Sequence, residues 1–514
     1  MRTSVYTFLL LTALLLTPCA VYAGTDDSGL QVFTVDFSKQ LGESADVAQE
    51  DTLLSPYCYN MFSSGNGLVS FPEDEGATSQ NWSGNAFDCS TIGVYNFVRL
   101  INGSAADLVL HIYPGYPSSG GSADDKQIIL ATGLTTVYGS DLFAYSGGDT
   151  ASVFVGNKII NVSGSPSAPT TSETALPGGL SFRSATIWQN RLFLATENYL
   201  YYSAAQNYSD FSNTATTGGT TRIFSTITIQ KIIGTKYGLY IFCNDGIYIQ
   251  TGIGKNGWII EKISNKTLAS IQCISQYEDQ IFFLESTTKR CAKLWSVSGT
   301  NIQQIATLPQ EISSDNSLKI ISGGDFIVFS TPTVNGTSFL YNTKTQTFSR
   351  SSNYNGLGNT YFYIKKISDT KYQLYYLPRL KKFNLYNSGP KGGALTPMSP
   401  WAYQTSWLTL DGNSGNRKEI DRIEFDYQGG TTAVYLYYAY GNGSSAYSST
   451  TLTAPVNTRL STYTWNAPIG KQQSNRFYLY FLSSGAQTMA TNYILKQARI
   501  YYRNIGNYKT NSLR

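Results

Sequence analysis

Strand–turn–strand units recur along the middle of this 514-residue chain, at intervals of 42 to 50 residues. The turn centres lie near Ser140, Asn190, Tyr237, Asp279, Gly324 and Asp369. A period in the forties, with short apolar strands on both sides of each turn, is typical of β-propeller blades. The sequence therefore predicts a propeller of six blades, with five or seven as alternatives. Because propellers support enzymes, binding proteins and assembly proteins alike, the function must be inferred from other features.

The composition favours an all-β protein. Charged residues make up only 14% of the chain, and 39 Tyr and 25 Phe accompany 46 Gly. Aromatic residues suit pleated, half-buried sheet surfaces, and glycine suits tight turns.

Several short segments predict individual hairpins. Residues 187–203, I-W-Q-N-R-L-F-L-A-T-E-N-Y-L-Y-Y-S, predict three strands joined by turns at Gln189–Asn190 and Glu197–Asn198. The Asn244-Asp245-Gly246 sequence predicts another hairpin, because Asp and Gly tolerate positive φ. Residues 134–145 are interpreted as two apolar strands around a Gly-Ser-Asp turn.

These patterns divide the chain into five parts. A signal-like apolar leader over 1–23 precedes an irregular N-terminal segment with some β structure over 24–93. The propeller is predicted over 94–388, a Gly- and Pro-rich linker over 389–400, and a C-terminal β-sandwich over 401–514. In the last part, apolar Ile423, Phe425 and Tyr427 alternate with charged residues, as in a strand with one buried face.

The leader resembles a secretory signal. Arg2 is followed by the apolar stretch Phe8 to Leu16, and small residues, Val21 and Ala23, precede Gly24. Two interpretations stay open: cleavage with export, or an uncleaved apolar N-terminus that packs against a neighbouring subunit. No other stretch is long and apolar enough to span a membrane.

The cysteines leave a choice between pairing and burial. Without the leader the chain keeps Cys58, Cys89, Cys243, Cys273 and Cys291. Cys273 and Cys291 are candidates for a disulfide across one hairpin, and five buried small hydrophobic side chains are the alternative. No C-x-x-C sequence points to a zinc site.

A search for catalytic groups predicts none. The single histidine, His111, lies in the strand-like sequence L-V-L-H-I-Y and is interpreted as structural. Paired carboxylates would suit a propeller glycosidase. The candidates, Asp124, Asp125, Glu197, Glu278, Asp279 and Asp325, fall mostly on turns. Acidic residues are common there for backbone reasons, so the sequence predicts no catalytic, cofactor-binding or metal-binding residue.

The net charge of +4 is spread thinly. The densest basic cluster is Arg379, Lys381 and Lys382, and the C-terminal part carries Arg499, Arg503, Lys509 and Arg514. Nucleic-acid binding needs a focused basic field, so these side chains are interpreted as a solvated surface.

Two segments resemble tail proteins of short-tailed bacteriophages. Residues 57–72, Y-C-Y-N-M-F-S-S-G-N-G-L-V-S-F-P, resemble the opening of tail accessory proteins. Residues 185–213 contain the sequence Q-N-R-L, formed by Gln189, Asn190, Arg191 and Leu192, followed by Y-S and D-F pairs. This segment resembles a propeller blade of the tail nozzle and packaged-DNA stabilisation families, and the likeness extends from about residue 57 to 350.

The resemblance implies a non-enzymatic virion protein without cofactors. Copies would form a ring, expected to be a hexamer, which contacts portal or adaptor proteins and tail fibres or spikes. Double-stranded DNA would pass through the ring without sequence-specific binding, and the Q-N-R-L residues would shape a blade turn. The alternatives are an exported propeller that binds or hydrolyses glycans, which the leader and the aromatic content favour, and a cell-surface adhesin.

Overall fold

The computed structural model describes most of residues 85–384 and 402–507, with short gaps between strands. It also describes the N-terminal segments 24–25, 30–37, 57–59, 61–63 and 68–70. The chain forms two compact units. The first contains residues 1–74, 339–352 and 383–514, and the second contains residues 75–338 and 353–382.

The described residues form 41 strands and one short 3-10 turn, Pro177–Gly179. The N-terminal strands are β1 (Gly24–Thr25), β2 (Gln31–Asp36), β3 (Tyr57–Tyr59), β4 (Met61–Ser63) and β5 (Leu68–Ser70). The middle of the chain contains β6 (Asn85–Ile92), β7 (Tyr95–Asn102), β8 (Ala105–Ile112), β9 (Lys126–Leu134), β10 (Phe143–Ser146), β11 (Ala151–Phe154), β12 (Lys158–Ser165), β13 (Ala168–Ala175), β14 (Ser184–Trp188), β15 (Arg191–Ala195), β16 (Tyr199–Tyr202), β17 (Gly219–Arg222), β18 (Ile229–Gly234), β19 (Leu239–Cys243), β20 (Gly246–Thr251), β21 (Ile259–Ser264), β22 (Ile274–Tyr277), β23 (Gln280–Leu284), β24 (Lys293–Ser298), β25 (Asn301–Thr307), β26 (Lys319–Gly323), β27 (Phe326–Ser330), β28 (Thr337–Asn342), β29 (Thr347–Ser352), β30 (Tyr361–Ser368), β31 (Lys371–Leu377) and β32 (Lys381–Asn384). The C-terminal strands are β33 (Ala402–Gln404), β34 (Asn416–Gly429), β35 (Thr432–Tyr440), β36 (Ser444–Tyr447), β37 (Leu452–Ala454), β38 (Asn457–Asn466), β39 (Gln473–Ser474), β40 (Phe477–Ser483) and β41 (Ile494–Asn507).

The second unit is a closed ring of small antiparallel sheets. Five sheets have four strands in sequence order: β6–β9, β10–β13, β14–β17, β18–β21 and β22–β25. The hairpin β26–β27 and the three-stranded sheet β30–β32 follow. The first strands of consecutive sheets contact one another, and β30 returns to contact β6. Sheets that meet through their first strands in a closed circle make a β-propeller, and the sheets are numbered here as blades 1 to 7.

In the described residues the ring therefore contains five four-stranded sheets, one three-stranded sheet and the pair β26–β27, which makes seven blades. The sequence predicted six blades, with five or seven as alternatives. The difference begins at residues 134–145, which were interpreted as one hairpin. Leu134 instead ends β9 in blade 1, and Phe143 begins β10 in blade 2. Both flanks are apolar because each is buried in a different sheet, so the connection between two blades was mistaken for a turn.

Hydroxyl side chains link the first strands of neighbouring blades. Ser90 accepts a hydrogen bond from the Ala144 amide at 2.9 Å, which joins blades 1 and 2. Thr186 accepts one from Gly234 at 2.9 Å between blades 3 and 4, and Ser275 accepts one from Ser322 at 2.8 Å between blades 5 and 6. The open edge of a first strand leaves backbone amides that need partners. In these three first strands, hydroxyl groups from the neighbouring blades satisfy backbone amides and help to hold the ring together.

Asp141 connects three blades at once. It lies in the connection that leads to blade 2 and is 6% exposed. Its carboxylate accepts a hydrogen bond from the fully buried Ser184 of blade 3 and forms an ion pair with Lys231 of blade 4. A serine, a lysine and an aspartate thus meet here, and the serine and the lysine both bond to the aspartate. Ser184 Oγ is engaged further, because it accepts the Ile232 amide proton at 3.1 Å. The cluster is therefore part of the packing between blades.

The first unit consists of two sheets. One has the order β1-β2-β41-β34-β38, with β39 beside β34 and the pair β4–β5 beside β41. The other runs β28-β29-β3-β33-β40-β35-β36, with β37 beside β35. Both sheets contribute to one hydrophobic core, in which the Phe425 and Phe481 rings meet edge to face at 5.6 Å. The predicted alternation in β34 is confirmed, since Ile423, Phe425 and Tyr427 are all buried.

The sequence predicted a separate N-terminal segment over 24–93, but the strands described in this range belong to the sheets of the two units. Strand β2 pairs along its whole length with β41, and β3 pairs with both β33 and β29. Strand β6 begins at Asn85 and belongs to blade 1 rather than to an irregular region. The 401–514 domain is likewise completed by strands from elsewhere in the chain. The predicted leader and the predicted linker lie outside the described residues.

An ion-pair cluster covers the face of β34 and β41 opposite the core. Arg499 donates to both oxygens of Asp426 at 2.9 and 3.0 Å and to Glu424 at 3.0 Å. Arg422 lies 3.8 Å above the Tyr501 ring. Burial raises the pKa values of Glu424 and Asp426, but the hydrogen bonds from Arg499 and its charge outweigh this and hold both pKa values below normal.

We expect this cluster to make the first unit sensitive to acid. Because the two folded-state pKa values are lowered, their stabilisation is fully present above the ordinary values of 4.5 and 3.8 and is lost as the pH falls through the folded values. Urea unfolding at pH 6 and at a pH near 3 measures the loss. The variant Glu424→Gln/Asp426→Asn should lose less stability between the two pH values. An equal loss in both proteins would show that other carboxylates are responsible.

Candidate functional site

The Q-N-R-L residues form the turn between β14 and β15. Trp188 pairs with Arg191, so Gln189 and Asn190 are the two turn residues, with φ of 48° and 55°. Positive φ at both positions gives the backbone twist that a two-residue hairpin requires. The predicted turn is thus confirmed.

The Gln189 side chain fastens this turn to blade 4. Its Nε2 donates to the Gly252 carbonyl, and its Oε1 accepts from the Trp258 indole at 3.1 Å and from the Gly254 amide at 3.3 Å. An amide side chain suits this position because it both donates and accepts. Trp258 also packs on Trp188, with ring centroids 5.9 Å apart.

Arg191 and Asn190 hold the segment that follows β16. Arg191 donates to the Ser203 carbonyl at 2.7 Å, and the Asn190 carbonyl accepts the Gln206 amide proton at 2.7 Å. The Leu192 amide donates to the Ser203 hydroxyl at 2.9 Å. Asn190, Arg191 and Leu192 therefore contribute to placing residues 203–212, which belong to the segment with the phage-like sequence.

Residues 203–212, called here the 203–212 loop, have an internal framework of hydrogen bonds. The Ala204 amide donates to the Asp210 carbonyl at 2.7 Å, and the Ser209 hydroxyl donates to Asn207 Oδ1 at 2.9 Å. The Ser212 hydroxyl and amide both donate to the Asp210 carboxylate and lower its pKa. The loop is thus a fixed surface built by short-range Asx-type bonds.

Gly218 lies directly against this loop. A Cβ at this position would be 2.3 Å from the Tyr202 carbonyl oxygen, 2.6 Å from the Asp210 carbonyl oxygen and 2.7 Å from Phe211 Cα. All three are backbone atoms, which side-chain rotation cannot move out of the way. The close approach therefore requires glycine.

We expect Gly218→Ala to displace the 203–212 loop and to lower the free energy of unfolding by about 1–3 kcal/mol, the usual cost of overpacking. Hydrogen exchange of the loop amides and urea unfolding would measure the two effects. Gly415→Ala is the control, because its Cβ would meet only the Asn413 side-chain oxygen, at 3.1 Å. Unchanged exchange in Gly218→Ala would contradict the packing described here.

A cleft of about 500 Å³ lies between blade 2 and the 203–212 loop. Its lining residues are Tyr145, Ser146, Thr150, Ser152, Ile159, Asn161, Thr174, Gln206, Asn207, Tyr208 and Ser209. Tyr145, Ser152 and Ile159 are buried and form its floor, whereas Gln206, Asn207 and Ser209 are exposed on the loop. None of the lining residues carries a charged side chain.

A chain of hydrogen bonds fixes the polar floor of the cleft. The Ser152 hydroxyl donates to Asn161 Oδ1 at 2.7 Å, and Asn161 Nδ2 donates to the Thr174 hydroxyl at 2.8 Å. Tyr145 and Tyr208 meet edge to face, with centroids 5.4 Å apart. Burial raises the pKa of Tyr145, the Ser152 hydrogen bond offsets part of this, and Tyr208 raises it further, so the phenol stays neutral.

The candidate carboxylates that the structure describes do not come together. Glu197 pairs with Arg183, and Asp279 with Lys236 at 2.8 Å, while Glu278 occupies a turn at φ 54°. Asp325 lies in the β26–β27 turn, and Asp124 and Asp125 are outside the described residues. Within the described part of the chain, no group of three or more His, Cys, Asp or Glu side chains is placed to hold a metal ion.

The thiols of Cys243 and Cys273 are buried, and the Cys273 thiol donates to the Leu318 carbonyl at 3.0 Å. Burial, followed by the nearby Asp245 charge, raises the pKa of Cys243 to about 12. A thiol with such a pKa is inert at neutral pH. Burial as small hydrophobic side chains, which the sequence offered as the alternative to a disulfide, therefore describes these two residues. The side chains of Cys58, Cys89 and Cys291 are outside the described residues.

The other predicted residues occupy ordinary structural positions. His111 lies in β8, opposite Asn96 and Gln127 in the two neighbouring strands. Arg499 belongs to the ion-pair cluster of β34 and β41, and Arg503 lies 3.4 Å from Asp421. Side chains of the predicted basic cluster at 379–382 and of residues 509 and 514 are outside the described residues. No helix in the described residues is long and apolar enough to cross a membrane.

The seven sheets define the second unit as a β-propeller, and the comparisons with known proteins add only fold similarity. No protein-family model matches the chain, and no curated protein matches it in sequence. A solved structure of YCF48 bound to D1 peptide is 11% identical, with a TM-score of 0.36, over 61% of this chain and 98% of that chain. The WD40 domain of Toxoplasma gondii coronin is 10% identical, with a TM-score of 0.34, over 62% of this chain and 87% of that chain. Apo AztD from Citrobacter koseri is 10% identical, with a TM-score of 0.32, over 56% and 92% of the two chains.

Proposed function

We propose that this chain is a non-enzymatic structural protein of a short-tailed bacteriophage tail. Copies form a ring around the DNA exit channel, below the portal and adaptor, which retains packaged DNA and conducts it on ejection. The supporting observation is the structural role of the described residues in 185–213, the segment with the phage-like sequence. Its Gln189, Asn190 and Arg191 are all engaged in holding one blade and its loop in place.

The placement of the charged groups agrees with this role. The carboxylates considered for hydrolysis that the structure describes are paired with basic residues or lie on turns, and Lys231 and Arg499 are held in ion pairs. A channel wall for passing DNA needs no focused basic field, because tight phosphate contacts would retard the strand. We further propose that the two sheets of the first unit form a β-sandwich that mediates contacts with neighbouring tail proteins.

The oligomeric state tests this proposal. Native mass spectrometry of the purified full chain should give a closed ring, expected to be a hexamer, because identical subunits with heterologous contacts close into rings. Mass analysis of purified phage particles should detect the chain in the tail. A monomer at micromolar concentrations, together with absence from particles, would overturn the proposal.

Export is the second candidate, and one observation favours it. The signal-like sequence over 1–23 has the basic Arg2, an apolar stretch from Phe8 to Leu16, and small residues before Gly24. N-terminal sequencing of the protein from its native source distinguishes the two locations. A first residue of Gly24 supports export, and an intact Met1 supports assembly in the cytoplasm.

A further inference from the structure

We propose that the cleft between blade 2 and the 203–212 loop binds an uncharged saccharide. This inference goes beyond the structural role proposed above and does not depend on it. The cleft has a volume of about 500 Å³, within the range of about 300–1,000 Å³ that is typical of small-molecule sites.

The lining of the cleft indicates the chemical class of the ligand. Hydroxyl and amide groups dominate it, contributed by serine, threonine, asparagine and glutamine side chains. Such groups both donate and accept hydrogen bonds, as sugar hydroxyls do. The described lining residues offer no charged side chain, so they would leave the charge of a phosphate, a carboxylate or an amine without a partner. In blade 2, Lys158 and Glu173 pair with each other at 2.8 Å.

Two tyrosine rings supply an apolar surface beside these polar groups. Tyr145 forms part of the floor and Tyr208 rises from the loop, and their edge-to-face contact fixes both rings. Aromatic rings offer a flat apolar face with a polar tip at low cost in side-chain entropy. A pyranose ring, which has C–H faces and a rim of hydroxyls, matches this combination.

The cleft is also organised before any ligand arrives. Asn161 is fixed between Ser152 and Thr174, and Asn207 is held by the Ser209 hydroxyl. The loop itself is attached to the Q-N-R-L turn through Gln206. Rigid partners reduce the entropy lost on binding, so even a small neutral ligand can bind measurably.

Isothermal titration of the full chain with maltose, cellobiose, lactose and N,N′-diacetylchitobiose, at millimolar concentrations, tests the proposal. At least one should bind, and Tyr208→Ala should weaken that binding by about tenfold or more through loss of the aromatic contact. Tyr199→Ala is the matched control: it changes a 38% exposed tyrosine of β16 that does not line the cleft, and binding should be unchanged. Circular dichroism confirms that each variant is folded.

Three results would overturn the proposal. The first is that none of the four disaccharides binds. The second is that binding persists at full strength in Tyr208→Ala, which places the ligand elsewhere. The third is tighter binding of charged probes, for which 3′-sialyllactose and a serine-rich peptide bearing lysine are suitable, since a neutral cleft gives them no counter-charge. Asn161→Leu provides an independent check, because it removes the central amide of the floor and should also weaken binding.

Discussion

A chain that begins at residue 38 should lose the first unit, by comparison with a chain that begins at Gly24. The longer deletion removes β2, which pairs with β41 over six residues. It also removes Phe33, Val35 and Phe37, which are at most 2% exposed. Burial of such side chains contributes about 1.5–3 kcal/mol each, and their sum is comparable with the entire stability of a typical domain. Limited proteolysis and the fluorescence of Trp465, a core residue, would report the loss.

The point variant Phe33→Ala in the chain that begins at Gly24 separates core packing from chain length. It should lower the free energy of unfolding by about 3–5 kcal/mol, because it leaves a cavity in the hydrophobic core of the first unit. Equal resistance to proteolysis in the two truncated chains would contradict the role assigned to β2.

Local turn chemistry explains why several hairpins were predictable. The Asn244-Asp245-Gly246 sequence does form a hairpin turn, in which Cys243 pairs with Gly246 across Asn244 and Asp245, and Gly246 takes a φ of 155°. Alternating burial in β34 was also predictable, because a strand with one buried face repeats apolar residues with a period of two residues. Each of these signals lies within a few neighbouring residues.

Pairings between distant parts of the chain leave no such signal. Strand β2 finds its partner more than 450 residues away in β41, and nothing in either strand specifies the other. The interpretation of residues 134–145 failed in a related way. Apolar residues predict burial, but they do not reveal which sheet buries them, so two strands of different blades resembled one hairpin.

The cleft could be predicted only in part. The Q-N-R-L turn and the loop that carries Tyr208 were recognised through sequence resemblance, but as blade structure rather than as the wall of a cleft. Ser152 and Asn161 belong to the neighbouring blade and lie in ordinary strands. Their convergence with the loop depends on how two blades pack, which no local pattern encodes.

Asp141→Ala should be among the most destabilising single substitutions in the propeller. The change removes the carboxylate that accepts from Ser184 and pairs with Lys231, so a hydroxyl and an ammonium group lose their partner at the contact of three blades. Breaking a buried ion pair typically costs about 3–5 kcal/mol. Because Lys231 keeps 20% of its side chain exposed, we expect a value near the lower end of that range. The midpoint of urea unfolding, at an unchanged slope, would measure it.

The surface pair Lys158–Glu173 supplies the matched control within the same ring. Glu173 is 60% exposed, so Glu173→Ala should cost less than about 1 kcal/mol. The double variant Asp141→Ala/Lys231→Met should recover part of the loss, because it no longer leaves an ammonium group without a counter-charge. If Asp141→Ala cost no more than Glu173→Ala, the ion pair would be incidental, and the hydroxyl links between first strands would have to hold the ring. If the double variant recovers stability, the main contribution of Asp141 is the ion pair that it forms with Lys231 of blade 4.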